Sequence, residues 1–368
     1  MSDVGSDFRR AVRAVLPGLG DARSVWGRLG RAGLLDGFAR PGRQGTDHTR
    51  LDGLLTELDA RLRPGVVLSV CVQAATVLPL LAEAAADSPY AAKVLDQAVQ
   101  GDAVVALAVT DSAGSGSDLL HLRTGVRENE GGAVLDGGKD WITNAGHCDH
   151  ALVLARHRPA HHFTSFRWIL VPSDAAGVSC RTATGTLFAG SAVGHLRFDE
   201  VRLLPEYLVG VPGRGLAGFA RQAGAERLAG ALWARALCRR VLTGTLDFLK
   251  DRPSQGGSLW DNAAVRERFA RLVVEFRRLD AMCAAYGTAA AAAPAPAAEG
   301  MVLKAAYAES AERILTECVS LRGADAFRDG GEAALRAEAA MFGIAGGAGG
   351  VMLAGIAGHA EELLGTVR

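Results

Sequence analysis

Several things are scarce in this chain of 368 residues, and each shortage closes off a class of explanation. Charge of one sign is missing: 40 Lys and Arg balance 40 Asp and Glu, for a formal net charge of zero. No overall field exists to gather nucleic acid or an anionic membrane. Cysteine is sparse. The six, Cys71, Cys148, Cys180, Cys238, Cys283 and Cys318, include no C-x-x-C pair and none with a histidine at metal-ligand spacing. They read as reduced, mostly buried thiols, not as a metal centre or a disulfide framework. The opening residues Met1 to Asp7 lack the basic start and apolar run of a secretory signal. No apolar stretch is expected to reach membrane-spanning length without an interrupting charge. The expectation is a soluble, cytoplasmic protein with no metal, no nucleic-acid partner and no membrane.

What the chain does have is apolar mass, 49% of its residues, at a length that calls for two or three subdomains. Arg outnumbers Lys, and Ala and Gly are abundant, which reads as coding bias and not as chemistry. Residues 1–101 are expected to form an N-terminal helical domain. Phe8, Val12, Val15 and Leu16 share a helical face, Leu51, Leu54, Leu55 and Leu58 repeat the spacing, and Val66 to Ala86 is a nearly all-apolar, buried helix. Gly37 to Asp47 reads as a loop. Residues 102–212 change character: Val104 to Val109, Ala133 to Leu135, Ala151 to Ala155, Trp168 to Val171 and His195 to Phe198 are short apolar runs between turn residues, expected as antiparallel strands. Residues 213–368 return to helices, roughly 219 to 250, 261 to 290 and 299 to 322, with Thr288 to Ala298 as a connecting loop because Pro294 and Pro296 cannot sit inside a helix. The fold class is mainly α with an inserted β domain.

Chemistry concentrates between residues 110 and 144. Thr110-Asp111 and Gly116-Ser117-Asp118 make a hydroxyl- and amide-rich turn, followed by Gly138-Lys139-Asp140-Trp141-Ile142-Thr143-Asn144. A Trp able to cover a flat ring, with a Thr hydroxyl two residues on pointing the same way along a strand, suits a hydrogen-bonding ring system such as a flavin. His147, His150, His161 and His162 have no matching carboxylates for a metal. Ser115 and Ser117 lack the strand-to-helix context of a hydrolase nucleophile.

The order helix, sheet, helix with these motifs resembles the acyl-CoA dehydrogenase family of flavoenzymes over most of the chain, most strongly from Asp102 to Leu259. Ala106 to Asp111 followed by Gly116-Ser117-Asp118 is similar to the family's T-E-P-x-A-G-S-D signature, with Asp for Glu, Ser for Pro and one residue inserted. Trp141-Ile142-Thr143 matches W-I-T with the usual Gly-x-Lys-x before it. Phe198-Asp199-Glu200-Val201-Arg202 with Pro205 and Gly210 resembles the strand closing the family's β domain, and Arg252 before Gly256 resembles R-x-x-F-G with Gln255 for Phe. The resemblance implies an N-terminal helical domain, a middle antiparallel β-barrel domain and a C-terminal four-helix bundle. It implies FAD as cofactor. Leu107, Val109, Thr110, Gly116 and Ser117 would line the flavin, and Trp141, Ile142 and Thr143 would hold its ring. Arg252 and Ser254, with Ser320 and Gly323 from the segment standing for the family's Q-x-x-G-G, would reach the FAD of a neighbouring subunit in a homodimer or homotetramer.

The implied reaction removes a proton beside a thioester carbonyl while a hydride leaves the next carbon for the flavin, so the protein must supply a carboxylate base. The family's late Glu has no counterpart in Ile344 to Val351, where Gly346 takes its place. Members resembling isovaleryl-CoA and long-chain enzymes carry the base earlier, in a pattern like x-E-R-L, and Ala225-Glu226-Arg227-Leu228 matches it. Glu226 is the expected base; Ser117, Arg227 and Gly346 are expected at the substrate. Ser320-Leu321-Arg322-Gly323-Ala324, Ala348 and Gly350 depart from the family's late cofactor contacts. The implied partners are an acyl thioester on CoA or a carrier protein and an electron-acceptor protein. Two other readings stay open: a flavin-dependent monooxygenase on the same fold, and a catalytically silent subunit that docks an active homologue.

Overall fold

The computed structural model describes residues 4–18, 20–39, 47–112, 116, 118–254, 256–292 and 296–365. They form two compact units: one of residues up to Leu54 together with Arg61–Glu226, the other of Leu55–Ala60 with Arg227 onward.

The first unit opens with helices α1 (Val4–Val15), α2 (Ala22–Arg31), α3 (His48–Asp59), α4 (Pro64–Val72), α5 (Leu78–Ala85) and α6 (Pro89–Gln100). Their starts carry caps that satisfy otherwise orphaned amides. Asp21 accepts from Ser24 N ahead of α2, and Ser88 accepts from Ala91 N ahead of α6, where Pro89 takes the first helical position. α2 crosses the end of α6 so closely that a Cβ on Gly30 would sit 2.3 Å from the Gln100 carbonyl carbon. Only glycine fits that crossing.

α4 and α5 are one apolar rod interrupted by a π-turn at Gln73–Val77. Contrary to the sequence reading, Pro64–Ala85 is long and apolar enough to cross a membrane, because its single carboxylate, Glu83, stands at the far end. Protein buries 83% of its most apolar window, as in the central helix of a folded core. The extra residue of the π-turn lets Gln73 reach strand β1, where its amide donates to Val105 O and accepts from Val105 N at 3.3 Å.

Eight strands follow: β1 (Val105–Ala108), β2 (Gly125–Asn129), β3 (Gly132–Ile142), β4 (His150–Arg156), β5 (Phe166–Pro172), β6 (Val178–Thr182), β7 (Gly194–Leu203) and β8 (Leu208–Val209). Their order is β6-β7-β3-β2-β4-β5-β8, with β1 also on β4. Most pairs are antiparallel as expected. The exceptions are β1 with β4, parallel from Val105↔His150 to Ala108↔Val153, and a one-residue parallel contact of β2 with β4. β2 and β6 lack an apolar run in the sequence because each shows mostly exposed side chains, and β6 is an edge. The buried set Ala106, Ala108, Ala151, Val153, Ala155, Ile169, Val171, Leu196 and Phe198 keeps period two, placing one sheet face in a common core.

The second unit holds most of α7 (Gly215–Asp251), then the short hairpin β9 (Pro253–Ser254) and β10 (Gly257–Ser258). Helices α8 (Ala263–Ala292), α9 (Ala297–Arg322), α10 (Glu332–Ala339), α11 (Gly349–Gly358) and α12 (Ala360–Leu363) complete it. The Thr288–Ala298 loop is shorter than expected: α8 continues to Ala292 because an alanine run favours helix until proline intervenes. Pro294 lies outside the described residues, and Pro296 is the N-cap of α9. Asp59, buried, accepts from Arg240 Nε at 2.7 Å and from Trp233 Nε1 at 3.3 Å, tying the end of α3 to α7.

Candidate active site

The turn after β1 is fastened to β3 by a buried ion pair that the sequence reading did not single out. Lys139 Nζ, fully buried, donates to Asp111 Oδ1 at 2.6 Å and to Val109 O at 2.7 Å. Thr124 donates to Asp111 through N at 2.9 Å and Oγ1 at 2.8 Å, and Arg123 N donates as well. Burial works against ionisation of Asp111, but the Lys139 charge and these donors hold its carboxyl below the usual range. Burial pulls Lys139 down to about 8, against the attraction of Asp111. Asp111 is therefore a strut within the protein.

With the strut in place, Thr110 lies beside Asp140, the residue before Trp141, near the end of β3. Asp140 N donates to Thr110 O at 3.0 Å and Ser112 N to Gly138 O at 3.1 Å, so the β1 turn and the end of β3 run side by side. A Cβ on Gly116 would press on Thr110 Cγ2 at 2.9 Å, so Gly116 lies close against Thr110. Pairing of β3 with β7 slips between Lys139 and Ile142, and Trp141 sits in this irregularity with φ +59. That conformation is an outlier for a bulky side chain and costs about 1–3 kcal/mol. Burial does not offset it, because Trp141 is 68% exposed.

The sequence expectation for Thr143 needs correction. β3 ends at Ile142, and Thr143 stands in the following turn, so strand alternation does not carry its direction from Trp141. The turn is held by Asn144, buried at φ +71, which donates from N to Ser191 O at 2.9 Å and accepts from Ser69 Oγ. Among the described residues, neither the Thr110 nor the Thr143 hydroxyl has a hydrogen-bond partner, and both side chains are half-buried. An exposed indole on a strained backbone, with two unspent hydroxyls in the same stretch of chain, fits a flat hydrogen-bonding ring. Of the other predicted cradle residues, Leu107 is half-buried, Val109 is buried just past the end of β1, and Ile142 is buried at the end of β3. Ser117 lies outside the described residues.

Glu226 is half-buried in α7. Within the first unit it acts on Cys71 of α4, a buried thiol pushed up to about 12 by burial and then by the Glu226 charge. Arg227 is turned elsewhere: its Nη1 lies 3.4 Å from Ala297 O at the start of α9, beside Gly300.

The remaining predicted residues belong to the second unit. Arg252 lies over the Phe248 ring at 5.9 Å and pairs with Asp325 at 3.5 Å, which brings it to the segment after Gly323. Gly323 ends α9 at φ +59. Ser254 opens the two-residue hairpin, opposite Gly257. Ser320 accepts from Arg268 Nη2 at 2.7 Å. Arg322, in the middle of the altered Ser320–Ala324 segment, is buried against Glu332 at 2.9 Å and the Phe248 ring at 4.8 Å, so it serves packing. Gly346 occupies a turn at φ +70 ahead of α11.

Sequence reasoning missed Gln73, Lys139, Asn144 and His195. Lys139 and Asn144 stood inside the motif stretch, which was itself the available signal. Gln73, a polar residue alone in an apolar helix, was a second.

Comparison with known proteins agrees with this layout. Residues 106–201 match the acyl-CoA dehydrogenase middle domain, and residues 213–360 match the acyl-CoA dehydrogenase C-terminal domain. The acyl-[acyl-carrier-protein] dehydrogenase MbtN of Mycobacterium tuberculosis is 28% identical over 239 residues, 64% of this chain and 60% of that protein. The L-prolyl-[peptidyl-carrier protein] dehydrogenase of a Serratia species is 26% identical over 207 residues, 55% of this chain and 53% of that protein. The match thus spans little more than half the length of these relatives. An acyl-CoA dehydrogenase from Geobacillus kaustophilus superposes with a TM-score of 0.88 at 21% identity, covering 98% of this chain and 99% of that one. A glutaryl-CoA dehydrogenase from Mycobacterium smegmatis, in complex with FADH2, superposes with a TM-score of 0.86 at 21% identity, covering 99% and 95%. At these identities the structures establish the fold.

Proposed function

Since this chain belongs to the acyl-CoA dehydrogenase family, we propose that it is an FAD-dependent α,β-dehydrogenase of acyl thioesters with Glu226 as its base. The observation that carries the reading is Trp141, exposed and strained near the end of β3, with the open hydroxyls of Thr110 and Thr143 in the same segments. Leu107, Val109, Thr110, Gly116, Ser117, Trp141, Ile142 and Thr143 hold the flavin. Arg252, Ser254, Ser320 and Gly323 serve the FAD of a second copy in a homodimer or homotetramer.

FAD, when bound, supplies the acceptor for the β-hydride. The protein's own part is to bind the thioester, keep water from it and remove the α-proton. Glu226 is half-buried on α7, and its charge reaches the Cys71 thiol, which burial keeps protonated, so Glu226 is the carboxylate offered as general base.

Acyl groups on a carrier protein are favoured over free CoA esters, because MbtN and the Serratia enzyme are both named for carrier-bound substrates. A separate acceptor protein would take up the electrons. Reduced thiols, five of the six buried, suit the cytoplasm.

The purified protein should show flavin absorption that bleaches anaerobically when a carrier-bound acyl thioester is added. Glu226→Gln should keep the flavin and slow bleaching by about 10²–10⁴-fold. A colourless protein that resists FAD loading, or an E226Q variant that bleaches at the normal rate, would sink the proposal.

A further inference from the structure

Something must hold Trp141 where it stands. Its backbone is in the left-handed region, its ring gains little from burial, and its strand has lost regular pairing at that point. Among the described residues the one aromatic ring against it is His195 of β7, with ring centroids 5.0 Å apart and planes at 69°. His195 is itself nearly buried, 7% exposed. Its Nδ1 lies 2.9 Å from Asp140 Oδ1, the residue just before Trp141. Arg197 Nη1 donates to the same Asp140 oxygen at 2.8 Å. Burial tends to raise the Asp140 carboxyl, but hydrogen bonds and charge from Arg197 and His195 hold it below the usual range. Arg181, opposite His195 on β6, is the other charged neighbour in the strand register.

We infer that His195 is a positioning residue for the flavin, acting through Trp141: drawn to Asp140 on one side, its ring fixes the indole edge-on so that the exposed indole is presented in one orientation. Carboxylate, imidazole and indole form a chain in which two links come from adjacent residues of β3 and the third from β7. An edge-to-face pair of this kind is worth about 0.5–1.5 kcal/mol beyond burial. Without it, the Trp141 ring at a slipped strand end has several rotamers open to it. The inference rests on the flavin reading above, yet its first consequence concerns the protein alone.

The full-length protein freed of flavin provides that first test. The fluorescence of Trp141, isolated by difference against Trp141→Phe, should show lower anisotropy and easier acrylamide quenching in His195→Ala than in the parent. The second test is titration with FAD. H195A should raise the dissociation constant by up to about tenfold and leave the bound flavin more fluorescent, because a mobile indole quenches it less. His195→Gln, whose amide still meets Asp140 and packs on the indole, should recover most of both signals. If H195A does not fold, Asp140→Asn is read the same way, with a looser indole expected. Unchanged Trp141 anisotropy and quenching in whichever of these variants folds overturns the inference, whether or not FAD binds. A parent protein that holds Trp141 rigid yet takes up no FAD would sink the proposed function and leave the positioning of Trp141 standing.

Discussion

Asp111 and Lys139 decide whether the segment after β1 stays fastened to β3. Removing one partner of a buried pair leaves the other charge uncompensated, at a cost of about 3–5 kcal/mol. Lys139→Met should therefore shift the urea midpoint strongly downward, and the double variant D111N/K139M should be less damaged than K139M alone. The pH dependence has a definite sign. The folded-state pKa of Asp111 lies below the ordinary value of about 3.9, so its contribution is complete above that value and is lost as pH falls through the lower folded one. In Asp111→Asn, stability measured from pH 5 downward should fall less steeply than in the parent. Trp141 and Thr110 stood out in the sequence, by their types and spacing, as candidates to hold a flat ring. Lys139 stood in the same motif, but its partner did not follow, because Asp111 lies 28 residues away and only the β1–β3 contact makes them neighbours. His195 carried no signal at all: a histidine on an alternating strand looks like any other until β3 is placed beside it.

Among the elements, the Pro64–Ala85 rod shows how a local irregularity serves the sheet. Its helicity and burial follow from a nearly unbroken apolar run, whereas the π-turn at Gln73–Val77 follows from the demand that Gln73 meet both backbone groups of Val105. Gln73→Leu would strand those two groups in the core, and about 1–3 kcal/mol of stability should be lost. Hydrogen exchange at β1 would register it, with Val105 N exchanging faster than in the parent. The end of β3 was misread for a related reason: alternation placed Thr143 on the strand, but the slip at Lys139/Ile142 and the Asn144 turn end it one residue earlier. β2 and β6 escaped because their exposed residues carry no hydrophobic period.

At the scale of the whole molecule, the succession of helices, sheet and helices was readable from apolar spacing and turn residues along the chain, and the placement of Glu226 on the long α7 was readable from its motif. Ligand linkage supplies a test at this scale. If FAD binds the folded chain alone, FAD at 100 times its dissociation constant should stabilise it by about 2.7 kcal/mol, and stripping the flavin should remove that gain in a thermal melt. No shift in midpoint across that range would count against the cofactor assignment.

By itself the sequence determined most of the helices and the apolar strands, which residue types gather between 110 and 144, and that a carboxylate stands at 226 and none at 344–351. These depend on spacing along the chain and on side-chain chemistry, which sequence records directly. Tertiary structure alone decided that Asp111 is a strut, that Trp141 is strained and exposed, that Thr143 lies past the strand end and that His195 faces the indole. Each depends on which strand lies beside which and in what register, and pairing across dozens of residues leaves no periodic trace in the chain.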